Sequence, residues 1–319
     1  MKKIFAVLAA ILAASALQAL AQGYPARPVR TIITFVPGTA TDIVGRVVMQ
    51  KVSEYWGQPV IAENRAGAGG SIASAVVAKA APDGYTLLID SSAHAVSPWM
   101  YAKLPYDTLK DFVDVSPFAA QPNVLVVSSA SRIKTVAEFV AEAKAKAGQM
   151  TVGSAGIGTG THLNLEKFKL ATAIDAVHVP YKGTPEVLTD IFGGRVTAYF
   201  GPISAVLSAI RDGKLRAIAV SSARRNNSLP EVPAIAEAVA GFEFTLWFGL
   251  WAPAATPADV VTKISADVRR ALESAEVKER LARLGNDTMI MTPAEFSAFV
   301  RRELADYAKI IKAAGIKPQ

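Results

Sequence analysis

"TFVPGTATD", residues 34–42, joins an apolar β-branched run to an amphipathic one through a proline, one glycine and two threonines. Thr31 to Val36 reads as a strand and Ile43 onward as a helix, a strand–turn–helix unit. Gly38 supplies the backbone freedom of a tight turn, and Thr41 or Asp42 is expected to cap the helix. The free N–H groups of that helix's first turn then point into the crevice above the sheet edge, where an anion gains both hydrogen bonds and the helix dipole. Taken alone, the stretch also reads as an ordinary capped turn.

Further along, "TVGSAGIGTGTHLNLEKF", 151–168, repeats the pattern, with a short strand, a glycine-rich turn and a helix that carries His162. Ser154, Ala155, Gly156, Gly158, Thr159, Gly160 and Thr161 offer hydroxyls and open backbone amides. No Walker lysine follows, and the partial dinucleotide fingerprint has no acidic residue after a following strand to hold a ribose. A carboxylate cradle is the better reading. "VPYKGTPEVLTDIFGG", 179–194, places Tyr181, Lys182 and Gly183 after a strand, with Thr184 as cap and Pro185 at the first helical position. Lys182 reads either as a solvated lysine or as a partner for an anion.

Two more loops join the set. In "AENRAGAGGSIAS", 62–74, Arg65 either clamps a carboxylate through two parallel hydrogen bonds or holds loop carbonyls. "DSSAHAVSP", 90–98, brings Ser91, Ser92 and His94 to the C-terminal end of another strand. Phe35, Phe200 and Trp247 are aromatic candidates for the far end of a ligand cleft, or core residues.

Short β-branched runs recur at Val29 to Val36, Thr86 to Asp90, Asn123 to Ser128, Met150 to Gly153, Ala176 to Val179, Thr197 to Phe200 and Arg216 to Ser221. Nearly continuous runs read as strands buried on both faces. The amphipathic stretches Ile43 to Tyr55, Val136 to Lys146 and Pro185 to Phe192 supply crossover helices, which makes an α/β fold. The length suits two lobes. Two extended apolar stretches, 119–129 and 241–257, look like crossings between them, so both chain ends build one lobe and the middle the other. Ala258 to Ile316 reads as all helical, with helix starts at Thr256-Pro257 and Thr292-Pro293, and must pack on the first lobe or its hinge.

Lys2 and Lys3, an apolar run from Ile4 to Leu17 and the small-x-small site at Ala19-Leu20-Ala21 read as a secretory signal peptide cleaved near Ala21. The run is shorter than the ~20 residues of a membrane span. The chain has no cysteine, which excludes thiolate catalysis, zinc–thiolate sites and a lipoprotein anchor. Its formal charge of +7 drops to about +5 without Lys2 and Lys3. The basic residues are scattered, which argues against nucleic acid and suits an anionic small ligand. There is no G-x-S-x-G elbow, and His94, His162 and His178 lack metal-ligand spacing, so neither an enzyme nor a metal site is expected.

The segments "YPARPVR", "PGTATD", "GQPVIAENRAGAGG", "APDGYTLL", "KLPYDTLKDF", "PNVLVV", "GSAGIGTGTHL", "VPYKGT", "GKLRAIAV" and "WFGLWAPAATP" occur in this order. In them the chain resembles the periplasmic substrate-binding receptors of tripartite tricarboxylate transporters, the Bug family. The resemblance implies a two-lobed periplasmic binding protein of type II, a Venus flytrap with two hinge crossings. It implies a ligand carboxylate held between loops 37–42 and 154–162, and delivery to a membrane permease. Two departures stand out. Thr39 occupies the place of the family's second glycine, where a positive φ would strain a β-branched residue. Gly201 stands where an aspartate is common, which argues against an amino-acid ligand.

The resulting expectation is a periplasmic, monomeric receptor for an organic carboxylate, a dicarboxylate or aromatic acid, with no cofactor. Its lobes are 22–122 plus 249–319 and 123–248. Gly38, Thr39, Thr41, Asp42, Ser91, Ser92 and His94 would serve one lobe, and Ser154, Ala155, Gly156, Thr159, His162, Tyr181, Lys182 and Gly201 the other. A receptor for a sensor kinase and an exported enzyme are the alternatives.

Overall fold

The computed structural model describes residues 23–318. The segment read as a signal peptide, 1–21, lies outside them. In the first half, β1 (Val29–Ile33) runs between β2 (Val60–Asn64) and β3 (Thr86–Ser91), parallel to both. Parallel neighbours require crossovers, and α1 (Ala40–Trp56) and α2 (Ser71–Ala78) provide them, with α3 (Ala93–Met100) after β3. Leu87, Leu88 and Ile89 are all fully buried, because this central strand is covered on both faces.

The strand that organises the molecule is β4 (Phe112–Ser128). Its first part pairs antiparallel with β9 (Thr245–Pro253), down to the Pro122–Thr245 pair. From Asn123 onward its partners are β7 (Ala198–Pro202) and β8 (Leu215–Val220). The switch falls where Pro122 has no N–H to donate, and register shifts at Asp114/Ser116 and Pro117/Ala119 bend the strand before it. β9 also pairs with β3, closing the first sheet.

The second sheet repeats the parallel plan. β5 (Thr151–Ser154) lies between β6 (Val177–Pro180) and β7. α4 (Val136–Ala145), α5 (Gly160–Thr172), α6 (Thr184–Phe192) and α7 (Ile203–Arg211) connect these strands. The order β2-β1-β3-β9-β4-β7-β5-β6 thus runs through two lobes joined along β4. Edge strands depart from the expectation of full burial: Val177 is 42% exposed, because β6 ends the strand order.

Three helices complete the chain: α8 (Ala258–Glu273), α9 (Ala275–Arg283) and α10 (Pro293–Ala313). α8 and α9 dock on α1, where Trp56 Nε1 donates to Asp267 Oδ2 at 2.7 Å and Lys51 Nζ meets Glu276 Oε2 at 2.7 Å. The Thr292 capping box starts α10 as its sequence suggested, whereas Pro257 precedes the first helical residue of α8. The region is not purely helical. Asp287–Thr288 form a two-residue strand, β10, against Ala119 and Ala120 of β4, too short to leave any periodicity in the sequence.

Candidate functional site

Both loops singled out at the start face each other between the lobes. The wall of the space between them comprises Phe35, Thr39, Ala40, Thr41 and Ser91 from one side, Ala155, Thr159, Gly160, Thr161, Thr184 and Pro202 from the other, and Leu246 of β9. Residues at the start of α1, α5 and α6 belong to it, as does Pro202, the N-cap of α7; Ser91 ends β3, two residues before α3. No formally charged side chain lines this space. Unbonded N–H groups at a helix start and the dipole together favour an anion, by about 0.3–1 kcal/mol per exposed helix end and up to ~2 when partly buried. The space measures about 30 Å3, the size of a small head group rather than of a whole organic acid.

Helix α1 begins two to three residues earlier than the sequence suggested. Thr39, not Thr41 or Asp42, holds the N-cap position, with φ −77° and ψ 161°. Gly38 takes the left-handed φ of +80°, so the glycine absorbs the strained geometry and Thr39 sits in extended backbone that suits its branched side chain. Its Oγ1 donates to the Val36 carbonyl at 2.9 Å. Asp42, three residues into the helix, reaches back: Oδ2 accepts from Gly38 N at 3.0 Å, and Oδ1 pairs with Arg46 and Asn64. Its charge is spent on the turn and it does not line the space. Thr41 is left free of the capping role and lines the wall.

Across the cleft, Thr159 caps α5. Its Oγ1 accepts from His162 N and donates to the Gly156 carbonyl at 2.7 Å, while Thr161 Oγ1 accepts from Ala155 N at 2.9 Å. Beneath this turn, His162 and His178 stack with ring centroids 4.0 Å apart. His178 Nε2 lies 2.6 Å from Ser154 Oγ, and His162 Nδ1 accepts from Gly158 N. Burial pushes His162 down to about 3 and His178 to about 4, so both remain neutral and serve as rigid backing for the loop.

The comparisons with known proteins fit this geometry. The model of the "Tripartite tricarboxylate transporter family receptor" matches residues 44–316. BugT of Bordetella pertussis is 35% identical, over 99% of each chain. The chain belongs to this receptor family. Among solved structures, the periplasmic binding protein BugD superposes with a TM-score of 0.89 at 30% identity, covering 93% of this chain and 100% of that one. The R. palustris protein Rpa4515, solved with adipate, gives 0.90 at 32% identity with the same coverage. The fold is that of the periplasmic binding proteins, and the family is one of receptors, not enzymes.

In this family receptor an outer chamber of about 250 Å3 adjoins the inner clamp, and Phe35 and Ala155 belong to the walls of both. Tyr181 and Lys182 line the chamber, together with Gly67–Gly69, Tyr101, Gly156, Ile157 and Pro180. The lobes touch here. Tyr101 Oη donates to the Ile157 carbonyl at 3.4 Å, and a Cβ added to Gly183 would stand 2.6 Å from Val36 Cγ2.

Several expected site residues lie elsewhere. His94 is fully buried, 4.9 Å from the Phe112 ring and 4.5 Å from the Trp251 ring, and its pKa is pushed down to about 3 by desolvation. It is a core residue. Ser92 sits behind the wall, where its hydroxyl would meet a Cβ on Gly160 at 2.9 Å. Ser154 spends its hydroxyl on the Gly156 amide and His178. Gly201 is buried in β7 beside Pro202; a Cβ there would stand 2.5 Å from Val206 Cγ1 and 2.8 Å from the Tyr199 ring, so an aspartate has no room.

Arg65 faces outward onto Glu63. Phe200 and Trp247 are core residues, the latter donating to Glu303 at 2.8 Å. Phe35 alone of the three aromatic candidates lines the cleft.

Sequence reading named Gly160, Thr161 and Thr184 in its loops but left them out of the final set of site residues, together with Ala40, Pro202 and Leu246. The two threonines carried a signal, being hydroxyl residues at helix starts. Leu246 carried none, because β9 reaches the cleft only through its long-range pairing with β3 and β4. Directly behind Ser91 lies Asp90, 1% exposed and 3.9 Å from His94 Nδ1. Desolvation raises it to about 7, against the opposing pull of hydrogen bonds from Thr34 and the Ser91 amide.

Proposed function

We propose that the chain is an exported receptor that captures an organic carboxylate, a dicarboxylate or an aromatic acid, between its lobes and delivers it to the membrane permease of a tripartite tricarboxylate-type transporter. The observation that carries this reading is the inner clamp, where four helix starts converge on a small space with hydroxyls but no charged side chain. Such a site suits a carboxylate head group, since oriented N–H dipoles stabilise the anion without a counter-ion that would have to be desolvated. The adipate bound to Rpa4515 supports the ligand class.

The lobes are taken as 22–122 plus 249–319 and 123–248, with the leader cleaved near Ala21 and the mature protein a periplasmic monomer. The switch of partners along β4 at Pro122 and Asn123 supports the first of these boundaries. Closure is driven by the ligand's higher affinity for the closed form, and the permease reads that form. A thermal-shift screen of the mature protein over mono-, di-, tri- and aromatic carboxylates, amines and sugars tests the proposal. A carboxylate is expected to raise Tm by linkage; a shift with amines or sugars and none with any carboxylate would overturn it.

A further inference from the structure

A buried acid stands directly behind the clamp, and the inference drawn from it rests on the carboxylate reading above. Asp90 precedes Ser91, which lines the clamp wall, and does not line the space itself. Its Oδ1 accepts from Thr34 Oγ1 at 2.8 Å and from the Ser91 amide at 2.7 Å. Both donors are neutral. Among the described residues the one neighbour of this carboxyl at ion-pair range is His94 Nδ1 on α3, 3.9 Å away, and desolvation keeps that ring uncharged.

The other elements packed around Asp90 bring no cation. The turn before α2 brings Gly70, where a Cβ would stand 3.4 Å from Asp90 Oδ2, and β9 brings Gly249 as the pairing partner. The segment after α3 brings the Tyr106 phenol, with Tyr101 beyond it; desolvation and then the Asp90 charge push Tyr106 up to about 12. An ionised Asp90 therefore keeps its negative charge beside the clamp, and a ligand carboxylate there meets like charge across a poorly screening interior. A neutral Asp90 lifts that repulsion. We propose that Asp90 is the positioning residue of a proton-coupled capture, in which the clamp takes up a carboxylate together with a proton on Asp90 and loosens its hold as that proton leaves. Burial holds this carboxyl at about 7 in the receptor, and a bound anion raises it further. Affinity is then full below pH ~6, falls from pH ~7 and levels off near pH ~9.

The test measures Kd by calorimetry on the mature chain from pH 6 to pH 9 for succinate, adipate, butyrate and benzoate. The tightest acid is expected to bind about 5- to 20-fold more weakly at pH 9, the effect of like charges on the order of 10–15 Å apart at an effective dielectric of about 20. At pH 7.5, buffers of different ionisation enthalpy are expected to report uptake of about half a proton per ligand. His162 and His178 stay neutral over this range and contribute nothing to it. Asp90→Asn keeps an acceptor for Thr34 and the Ser91 amide. It is expected to bind at pH 9 as tightly as wild type does at pH 6, without proton uptake, whereas loss of a purely structural residue would shift affinity equally at every pH. A flat wild-type profile with no proton uptake, or a pH dependence that survives Asp90→Asn, overturns proton coupling while leaving the carboxylate clamp standing. Should the variant fail to fold, the wild-type proton count decides alone. Failure of every acid to bind sinks both.

Discussion

Gly183 sits where the lobes meet, and adding one methyl group there separates closure from folding. Its φ of 173° is extended backbone, so alanine introduces no local strain. The added Cβ would stand 2.6 Å from Val36 Cγ2 and 2.9 Å from Thr39 Cγ2, both on the opposite lobe, and 3.7 Å from Pro185 Cδ on its own. Ordinary carbon contacts begin near 3.5–4.0 Å. Relief requires the lobes to stop about 1 Å short of their present approach or Val36 to leave its rotamer, at a cost of about 1–3 kcal/mol, typical of overpacking.

That cost falls on the closed form alone. Gly183→Ala is therefore expected to weaken carboxylate binding by about 5- to 150-fold while the ligand-free Tm stays within about a degree of wild type. Calorimetric titration with the tightest acid and a thermal melt without ligand measure the two. Unchanged affinity, or a fall in the ligand-free Tm that matches the loss of binding, would refute the assignment of Gly183 to the closing seam.

Thr41→Val keeps the shape of a wall residue and removes its hydroxyl. Affinity for carboxylates should fall by about 10- to 150-fold, the worth of a hydrogen bond to a charged group, with little change in ligand-free Tm because Thr39, not Thr41, occupies the N-cap position; the reverse ordering in paired titrations and melts would return Thr41 to a structural role.

Asp90→Asn retains an acceptor for Thr34 and the Ser91 amide. Since Asp90 is raised from 3.8 to about 7 on folding, folding must hold it protonated while the unfolded chain ionises, which costs nothing below pH ~4 and increasingly more up to pH ~7, where it levels off at about 4 kcal/mol. The variant should gain Tm relative to wild type between pH 5 and pH 8, and a pH-independent difference would contradict the buried-acid account.

Trp56→Phe removes the donor to Asp267 at the junction of α1 and α8. Chemical denaturation should show a loss of about 1–2 kcal/mol, and no loss would mean that this bond adds nothing to the docking of α8.

The amino-acid sequence alone determined the strand–turn–helix units, because apolar periodicity, glycine and hydroxyl residues act locally. Gly38 and Thr159 do in the structure what their neighbourhoods dictate. It also singled out the two loops that face each other across the cleft, since a helix start presents its N–H groups wherever it occurs. What depended on distant partners was invisible. Thr39 rather than Thr41 takes the N-cap position of α1, its hydroxyl turned to the Val36 carbonyl, while Asp42 is drawn back to Gly38 and out to Arg46 and Asn64.

His94 resembles a site residue in its loop, but the fold buries it between Phe112 and Trp251. β2, β9 and β10 pair with strands tens or hundreds of residues away, and only that pairing brings Leu246 to the clamp. The division of the cleft into an inner clamp and an outer chamber was decided by tertiary structure alone. It arises where β4 passes from one sheet to the other and brings loops of two lobes to face each other, a relation no local pattern encodes.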